Sequence, residues 1–93
     1  MMKMAQITLS RKQHSLLFMD VVDVGPDPDA KEPAKSQELQ LIDELKAGRK
    51  VVVTPFLLKS LVQFADKDAD PDEQRCYKRL WRRVQWIDRI ERR

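Results

Sequence analysis

The chain has 93 residues, of which 42% are hydrophobic and 35% are charged, and its formal net charge is +3 at pH 7. This length predicts one domain, residues 1–93, with a single modest core, and no apolar run approaches the roughly 20 residues of a bilayer-spanning helix. The start lacks the apolar core of a signal peptide and the single cysteine, Cys76, excludes an internal disulfide, so we predict a cytoplasmic protein without a membrane partner.

The first half of the chain predicts a β-α-α unit over about residues 5–48. Residues 7–9 are β-prone, and Ser10 has the side chain of a helix N-cap. Gln13 stands three residues after Ser10, as in a capping box. A helix is therefore predicted over about residues 11–22.

An acidic segment separates this helix from the next one. Residues 23–35 include Gly25 and three prolines, which cannot continue a helix and favour a mobile, disordered loop. Its carboxylates, which could instead mimic nucleic-acid charge or dock on a basic partner, belong to Asp23, Asp27, Asp29 and Glu32. The second helix is predicted to follow Ser36 and to end at Gly48 as its C-cap.

The second half, about residues 50–93, predicts the same β-α-α order, and its helix-start signals are clearer. A β-branched run over residues 50–53 is followed by Thr54, an N-cap, and by Pro55 at the first helical position. Pro71 opens a long last helix in the same way. The buried face of the third helix is predicted to consist of Leu57, Leu58, Leu61, Val62 and Ala65. The order β-α-α-β-α-α predicts an α+β fold that is mainly α, with two short strands and four helices.

The two halves also resemble each other in sequence. Residues 7–10 parallel residues 51–54 at an offset of 44, and residues 39–45 parallel residues 84–90 at an offset of 45. A unit this short cannot bury its apolar face alone, so two copies predict one domain with pseudo-twofold symmetry. The two strands would pair antiparallel within the chain. Pairing of a strand with a second chain would instead give a homodimer.

A β-α-α unit of about 45 residues paired through its strand resembles the ribbon-helix-helix family, normally a dimer of such units. Here the two units would be fused in one chain. In that family polar residues on the outward ribbon face read bases in the DNA major groove, and the resemblance implies this role for Gln6, Thr8 and Lys50. Val52, the fourth matching position, departs from the polar pattern, and the acidic loop is longer than the family's tight turn.

The last helix has the most distinctive chemistry. Its apolar stripe at helical spacing contains Tyr77, Leu80, Trp81, Val84 and Ile87. Six arginines gather on the opposite face or at its boundary, namely Arg75, Arg79, Arg82, Arg83, Arg89 and Arg93. Trp86 lies at the border, and because its counterpart Leu41 is apolar we predict that Trp86 is largely packed. Arginines beside an aromatic ring suit phosphates, stacked bases or carboxylates, whereas the alternative is a solvated basic face.

The remaining reactive side chains do not predict a catalytic or metal site. His14 has the apolar counterpart Leu58, which predicts a partly buried ring, and Cys76 beside the apolar stripe is predicted to be a buried structural cysteine. The acidic stretch 66–73 has Pro71 where an EF-hand loop needs glycine, so it predicts a solvated helix start. We therefore predict no metal, no cofactor and no enzymatic activity.

Two functions fit these features. Residues 49–93 carry twelve Lys and Arg against seven Asp and Glu, whereas residues 1–48 carry six against eight. The first function is a small interaction protein that binds or inhibits a macromolecular partner, most simply a protein, through its arginine-rich last helix. Proteins of this size and charge polarity are often accessory factors, including phage-encoded ones. The alternative is a DNA-binding transcriptional regulator of ribbon-helix-helix type.

Overall fold

The computed structural model describes residues 5–67 and 70–91 of the chain. The elements are β1 Gln6–Thr8, α1 Arg11–Leu17 with a π-helical continuation Phe18–Asp23, α2 Ala34–Ala47, β2 Lys50–Val52, α3 Pro55–Lys67 and α4 Pro71–Glu91. The predicted class, α+β and mainly α, is confirmed together with the β-α-α-β-α-α order. Within these described ranges no helix has the length and apolarity to cross a bilayer.

Side-chain caps set the starts of α1 and α3. The Ser10 hydroxyl accepts the Gln13 N–H at 3.1 Å, and the Gln13 side-chain oxygen accepts the Ser10 N–H at 2.9 Å. In α3 the Thr54 hydroxyl accepts the Leu57 N–H at 3.1 Å. Amides in a first helical turn lack partners within the helix, so these bonds fix where each helix begins. Both caps were predicted from the sequence.

The acidic segment between the π-helix and α2, for which we predicted a mobile loop, makes several local hydrogen bonds. The Asp27 N–H donates to a carboxylate oxygen of Glu38 in α2 at 3.0 Å. The Ala30 N–H donates to the Asp27 carbonyl at 3.2 Å. Local hydrogen bonds thus give this acidic segment defined turns and tie it to the helix that follows. The mobility of residues 23–35 stays a prediction.

The first helix departs from the prediction where it changes from α to π geometry at Phe18. Asp20 lies in the π-helical stretch and accepts a hydrogen bond from the hydroxyl of Tyr77 in α4. Before this change, the His14 Nε2–H donates to the Leu45 carbonyl at 2.8 Å, and the ring is half-buried as predicted. These two bonds attach the first helix to α4 and to the end of α2.

The two strands pair antiparallel within the chain, as predicted. Ile7 lies opposite Val51, and the flanking pairs are Gln6 with Val52 and Thr8 with Lys50. Ile7 and Val51 are also counterparts in the sequence repeat, which is the pairing that a two-fold axis between the strands requires. The pseudo-twofold relation between the complete halves stays a prediction.

Charged side chains from two helices cap the outer edges of this ribbon. The Glu44 carboxylate of α2 accepts the Val52 N–H at 3.2 and 3.3 Å. On the other edge, the Arg83 guanidinium of α4 donates to the Thr8 carbonyl at 3.0 Å. These edge groups are the ones through which a second chain would extend a sheet. Both have partners inside the chain.

The core lies between the inner ribbon face and the surrounding helices. Its fully buried large side chains are Tyr77, Leu9, Leu17, Leu45, Leu57, Leu61, Leu80, Val51 and Val84. Helix α3 buries Leu57, Leu61 and Ala65, but Leu58 is only half-buried and Val62 remains 42% exposed. The predicted buried face of α3 is therefore wrong at Val62, which lies on the solvent side.

Candidate functional site

Helix α4 packs one side on the core and leaves the other in solvent. Its start is stabilised by the Asp70 carboxylate, which accepts the Asp72 N–H at 2.9 Å. Leu80 and Val84 are buried where α4 packs against α3 and α1. The direction of these two side chains determines which residues of α4 face outward.

Trp86 faces outward, which corrects the prediction that it packs in the core. Its side chain is 64% exposed, whereas its counterpart Leu41 is only 2% exposed. Two residues of an α-helix turn through about 200°, so Trp86 lies almost opposite Val84, which is completely buried. The packing of α4 decides this orientation, and an analogy between the two repeats could not reveal it.

Trp86 lies in the middle of the arginines on the outer face of α4. Arg82 and Arg83 precede it by one turn, and Arg89 and Ile90 follow it by one turn. Ile90 is 50% exposed, so it extends the apolar area that begins at Trp86. We call this area the arginine–tryptophan surface; it consists of Arg79, Arg82, Arg83, Trp86, Arg89 and Ile90, all exposed.

The two other arginines of the predicted site are not brought together with these residues. Arg75 lies towards the start of α4 and forms an exposed ion pair with Asp72 at 3.6 Å. An exposed pair of this kind adds little stability, so Arg75 is a surface charge of the first turns. Arg93 lies outside the described residues.

The candidate DNA-reading residues lie next to the arginine–tryptophan surface. Gln6, Thr8 and Lys50 are exposed on the ribbon, whereas Val52 is 7% exposed and does not contribute. Because Arg83 donates to the Thr8 carbonyl at 3.0 Å, it connects the arginine face of α4 to the ribbon. Sequence spacing gives no sign of this contact, since the two residues are 75 positions apart.

Cys76 is half-buried, whereas we predicted a fully buried residue. Burial raises the pKa of its thiol, and the positive charges of Lys12 and Arg79 only partly oppose that rise. The uncharged thiol is therefore the favoured form at neutral pH, which is unsuited to nucleophilic attack. In the described part of the chain, no group of three or more His, Cys, Asp or Glu residues is placed to hold a metal ion.

In comparisons with known proteins, no family model, no curated protein and no solved structure matches the chain. The resemblance to ribbon-helix-helix proteins thus depends on the element order and the antiparallel ribbon.

The difference in solvent exposure between Trp86 and Trp81 can be measured by fluorescence quenching. In a Trp81→Phe variant, iodide should quench Trp86 strongly, because the indole is 64% exposed and the surrounding arginines attract an anion. In Trp86→Phe, the half-buried Trp81 should be quenched several-fold less. Caesium is the matched control, because the same arginines should make it a weaker quencher of Trp86. Equal quenching of both residues by iodide would contradict the outward orientation of Trp86.

Proposed function

We propose that the chain is a small non-enzymatic interaction protein that binds an acidic surface of a partner protein through its arginine–tryptophan surface. The observation that supports this most strongly is the 64% exposure of Trp86 between arginines, with Ile90 50% exposed beside it. Tryptophan and arginine are the residue types that contribute most to protein–protein binding energy. An outward indole contributes little to the core of this domain, so binding is the role that suits it.

The surface combines two kinds of contact. The guanidinium groups of Arg82 and Arg89 can each pair with a carboxylate through two parallel hydrogen bonds. Trp86 and Ile90 can bury apolar area between those pairs and exclude water from them. Arg83 is held by its bond to Thr8, so it loses less side-chain freedom on binding than an unrestrained arginine.

Occupying a partner's surface in this way would make the chain an accessory or inhibitory factor. We expect the partner in the cytoplasm, because a lone free thiol suits a reducing compartment. Affinity capture from a lysate of the source organism tests the proposal, with the wild-type chain and a Trp86→Ala variant as paired baits. A protein retained equally by both baits would not be bound through this surface.

DNA binding by the ribbon is a second candidate, favoured by one specific observation. Gln6, Thr8 and Lys50 are all exposed on the ribbon, where ribbon-helix-helix proteins contact bases. Arg83 and Arg79, one turn apart on α4 along the β1 side of the ribbon, could neutralise phosphates beside such a contact. The ribbon is short, with three residues in each strand, which limits the number of base contacts.

Titration of labelled duplex DNA separates the two candidates. If the ribbon binds DNA, fluorescence anisotropy should show micromolar binding at low salt that falls by about tenfold or more at moderate salt. Replacing Gln6 and Thr8 together by alanine should then remove sequence preference. The matched control is Arg79→Ala, which should weaken binding to all sequences equally. Absence of binding at low salt would leave protein binding as the function.

A further inference from the structure

A groove runs along the outer side of the α3–α4 helix pair. Val62 and Trp81 lie at its centre and line both of two adjoining hollows of about 340 and 410 Å³. The first hollow extends to Lys78, in the first half of α4, and the second extends to Pro55 and Arg89. The groove therefore follows most of the length over which the two helices pack.

The floor of this groove is apolar and has no covering element in the described chain. Leu58 and Trp81 are half-buried there, and Val62 is 42% exposed. These side chains form a continuous strip between two helices, in contrast to the single exposed apolar residues that are normal on a protein surface. A strip of this kind is typical of a site for another apolar segment.

Three cations lie along the α4 side of the groove. Lys78, Arg82, Gln85 and Arg89 line the groove and follow one another at positions i, i+4, i+7 and i+11. This spacing places them on one ridge of the helix, about 16 Å long. Lys59 lies on the α3 side, and the acidic residues that line the groove are Asp66 and Asp88. Four cations against two carboxylates give the groove a positive rim.

We propose that this groove binds an acidic amphipathic helix of the partner protein. Its apolar residues would pack on Val62 and Trp81, and its carboxylates would lie against the ridge formed by Lys78, Arg82 and Arg89. An extended strand fits less well, because the backbone groups of α3 and α4 are already paired within each helix and offer no edge for sheet pairing. A helix inserts its side chains between the two ridges as in ordinary helix packing.

This inference rests on the proposed function and specifies the partner's chemistry. Arg82 and Arg89 belong both to the groove and to the arginine–tryptophan surface. A helix in the groove would therefore lie beside Trp86, and the same partner could cover both areas. Trp86 does not line either hollow, so its replacement tests the outer surface separately from the groove.

The test uses a labelled, side-chain-stapled helical peptide of about 16 residues, with leucines at i, i+3, i+4 and i+7 and glutamates on one flank. A second peptide carries lysine in place of each glutamate. Fluorescence anisotropy should show micromolar binding of the glutamate peptide and about tenfold or more weaker binding of the lysine peptide. Reversing the ridge with Lys78→Glu and Arg82→Glu should transfer the preference to the lysine peptide.

A matched pair of variants tests the apolar floor. Val62→Asn should weaken binding of the glutamate peptide by about tenfold. Leu39→Asn, at a similarly exposed position of α2, should leave the affinity for this peptide unchanged. Equal binding of the two peptides, or an unaltered affinity of Val62→Asn, would overturn the proposal. If sedimentation shows self-association that Val62→Asn abolishes, the groove is a contact between two copies and the proposal is also overturned.

The groove inference and the proposed function can be disproved independently of each other. If Trp86→Ala loses a natural partner but the glutamate peptide binds no better than the lysine peptide, only the groove inference fails. If the glutamate peptide binds as expected and Trp86→Ala retains every captured protein, the arginine–tryptophan surface is not the docking surface. Circular dichroism of each variant checks that its helices remain folded.

Discussion

Replacing Trp86 by alanine should weaken binding to a purified partner by about 30- to 700-fold while the fold remains intact. Truncation of a central interfacial tryptophan costs about 2–4 kcal/mol, and each 1.4 kcal/mol is a tenfold change in affinity. The side chain is 64% exposed, so the free energy of unfolding should change by no more than about 0.5 kcal/mol. Isothermal titration and urea denaturation measure the two effects independently.

Leu39→Ala is the matched control for this substitution. Leu39 is an apolar side chain that is 44% exposed, and it belongs to α2 rather than α4. Its truncation should change neither affinity nor stability appreciably. If Trp86→Ala binds the partner with wild-type affinity, or if Leu39→Ala weakens binding equally, the outer face of α4 is not the docking surface.

The loss of partner affinity caused by an arginine substitution should depend on salt concentration, whereas the loss caused by Trp86→Ala should not. Arg82→Glu places a negative charge against the partner's carboxylates, so its loss of affinity should shrink as salt screens the repulsion. The loss caused by Trp86→Ala comes from apolar burial and should stay nearly constant between low and moderate salt. A Trp86→Ala effect that disappears with salt would indicate that the indole acts only by positioning the neighbouring charges.

Local sequence signals were sufficient to predict the order of the elements and several of their ends. The Ser10 cap, the Thr54 cap and Gly48 all act on backbone groups within four residues, so they are visible in the sequence alone. Antiparallel pairing of β1 with β2 also followed from the repeat, because Ile7 and Val51 occupy equivalent positions. These features depend on neighbouring residues or on the relation between the two units.

Features that depend on distant contacts could not be predicted in the same way. The π-helical stretch contains Asp20, whose partner is 57 residues away, and the ribbon edge at Thr8 is capped by Arg83. The exposure of Trp86 and Val62 depends on which side of each helix meets its neighbours. Apolar spacing defines a stripe on a helix, but tertiary packing decides how much of the stripe is covered.

Tyr77→Ala should lower the free energy of unfolding by about 3–5 kcal/mol, the largest stability effect that we expect. Tyr77 is 1% exposed and its ring centroid lies 5.5 Å from that of Phe64, so truncation leaves a large cavity in the core. A small domain has a total stability of about 5–15 kcal/mol, so the variant should be close to unfolding at moderate temperature. Urea denaturation followed by circular dichroism measures the change.

Tyr77→Phe isolates the hydroxyl from the packing of the ring. It keeps the aromatic contact but removes the donor to Asp20, which should cost about 1–3 kcal/mol and lower Tm by several degrees. A double-mutant cycle with Asp20→Ala should show that the two losses are not additive, since both remove the same hydrogen bond. Additive losses would mean that the hydrogen bond between Tyr77 and Asp20 contributes nothing to the free energy of unfolding.

Substitutions on the two sides of α4 should affect different properties, stability on the inner side and partner affinity on the outer side. Nine residues of an α-helix turn through about 900°, so Tyr77 and Trp86 lie on opposite sides of the helix. Tyr77→Phe should therefore reduce stability without changing the affinity of the folded protein, and Trp86→Ala should do the reverse. If Tyr77→Phe also weakens binding in its folded form, the Asp20 contact controls the position of α4. The arginine–tryptophan surface would then depend on how the first helix holds the last one.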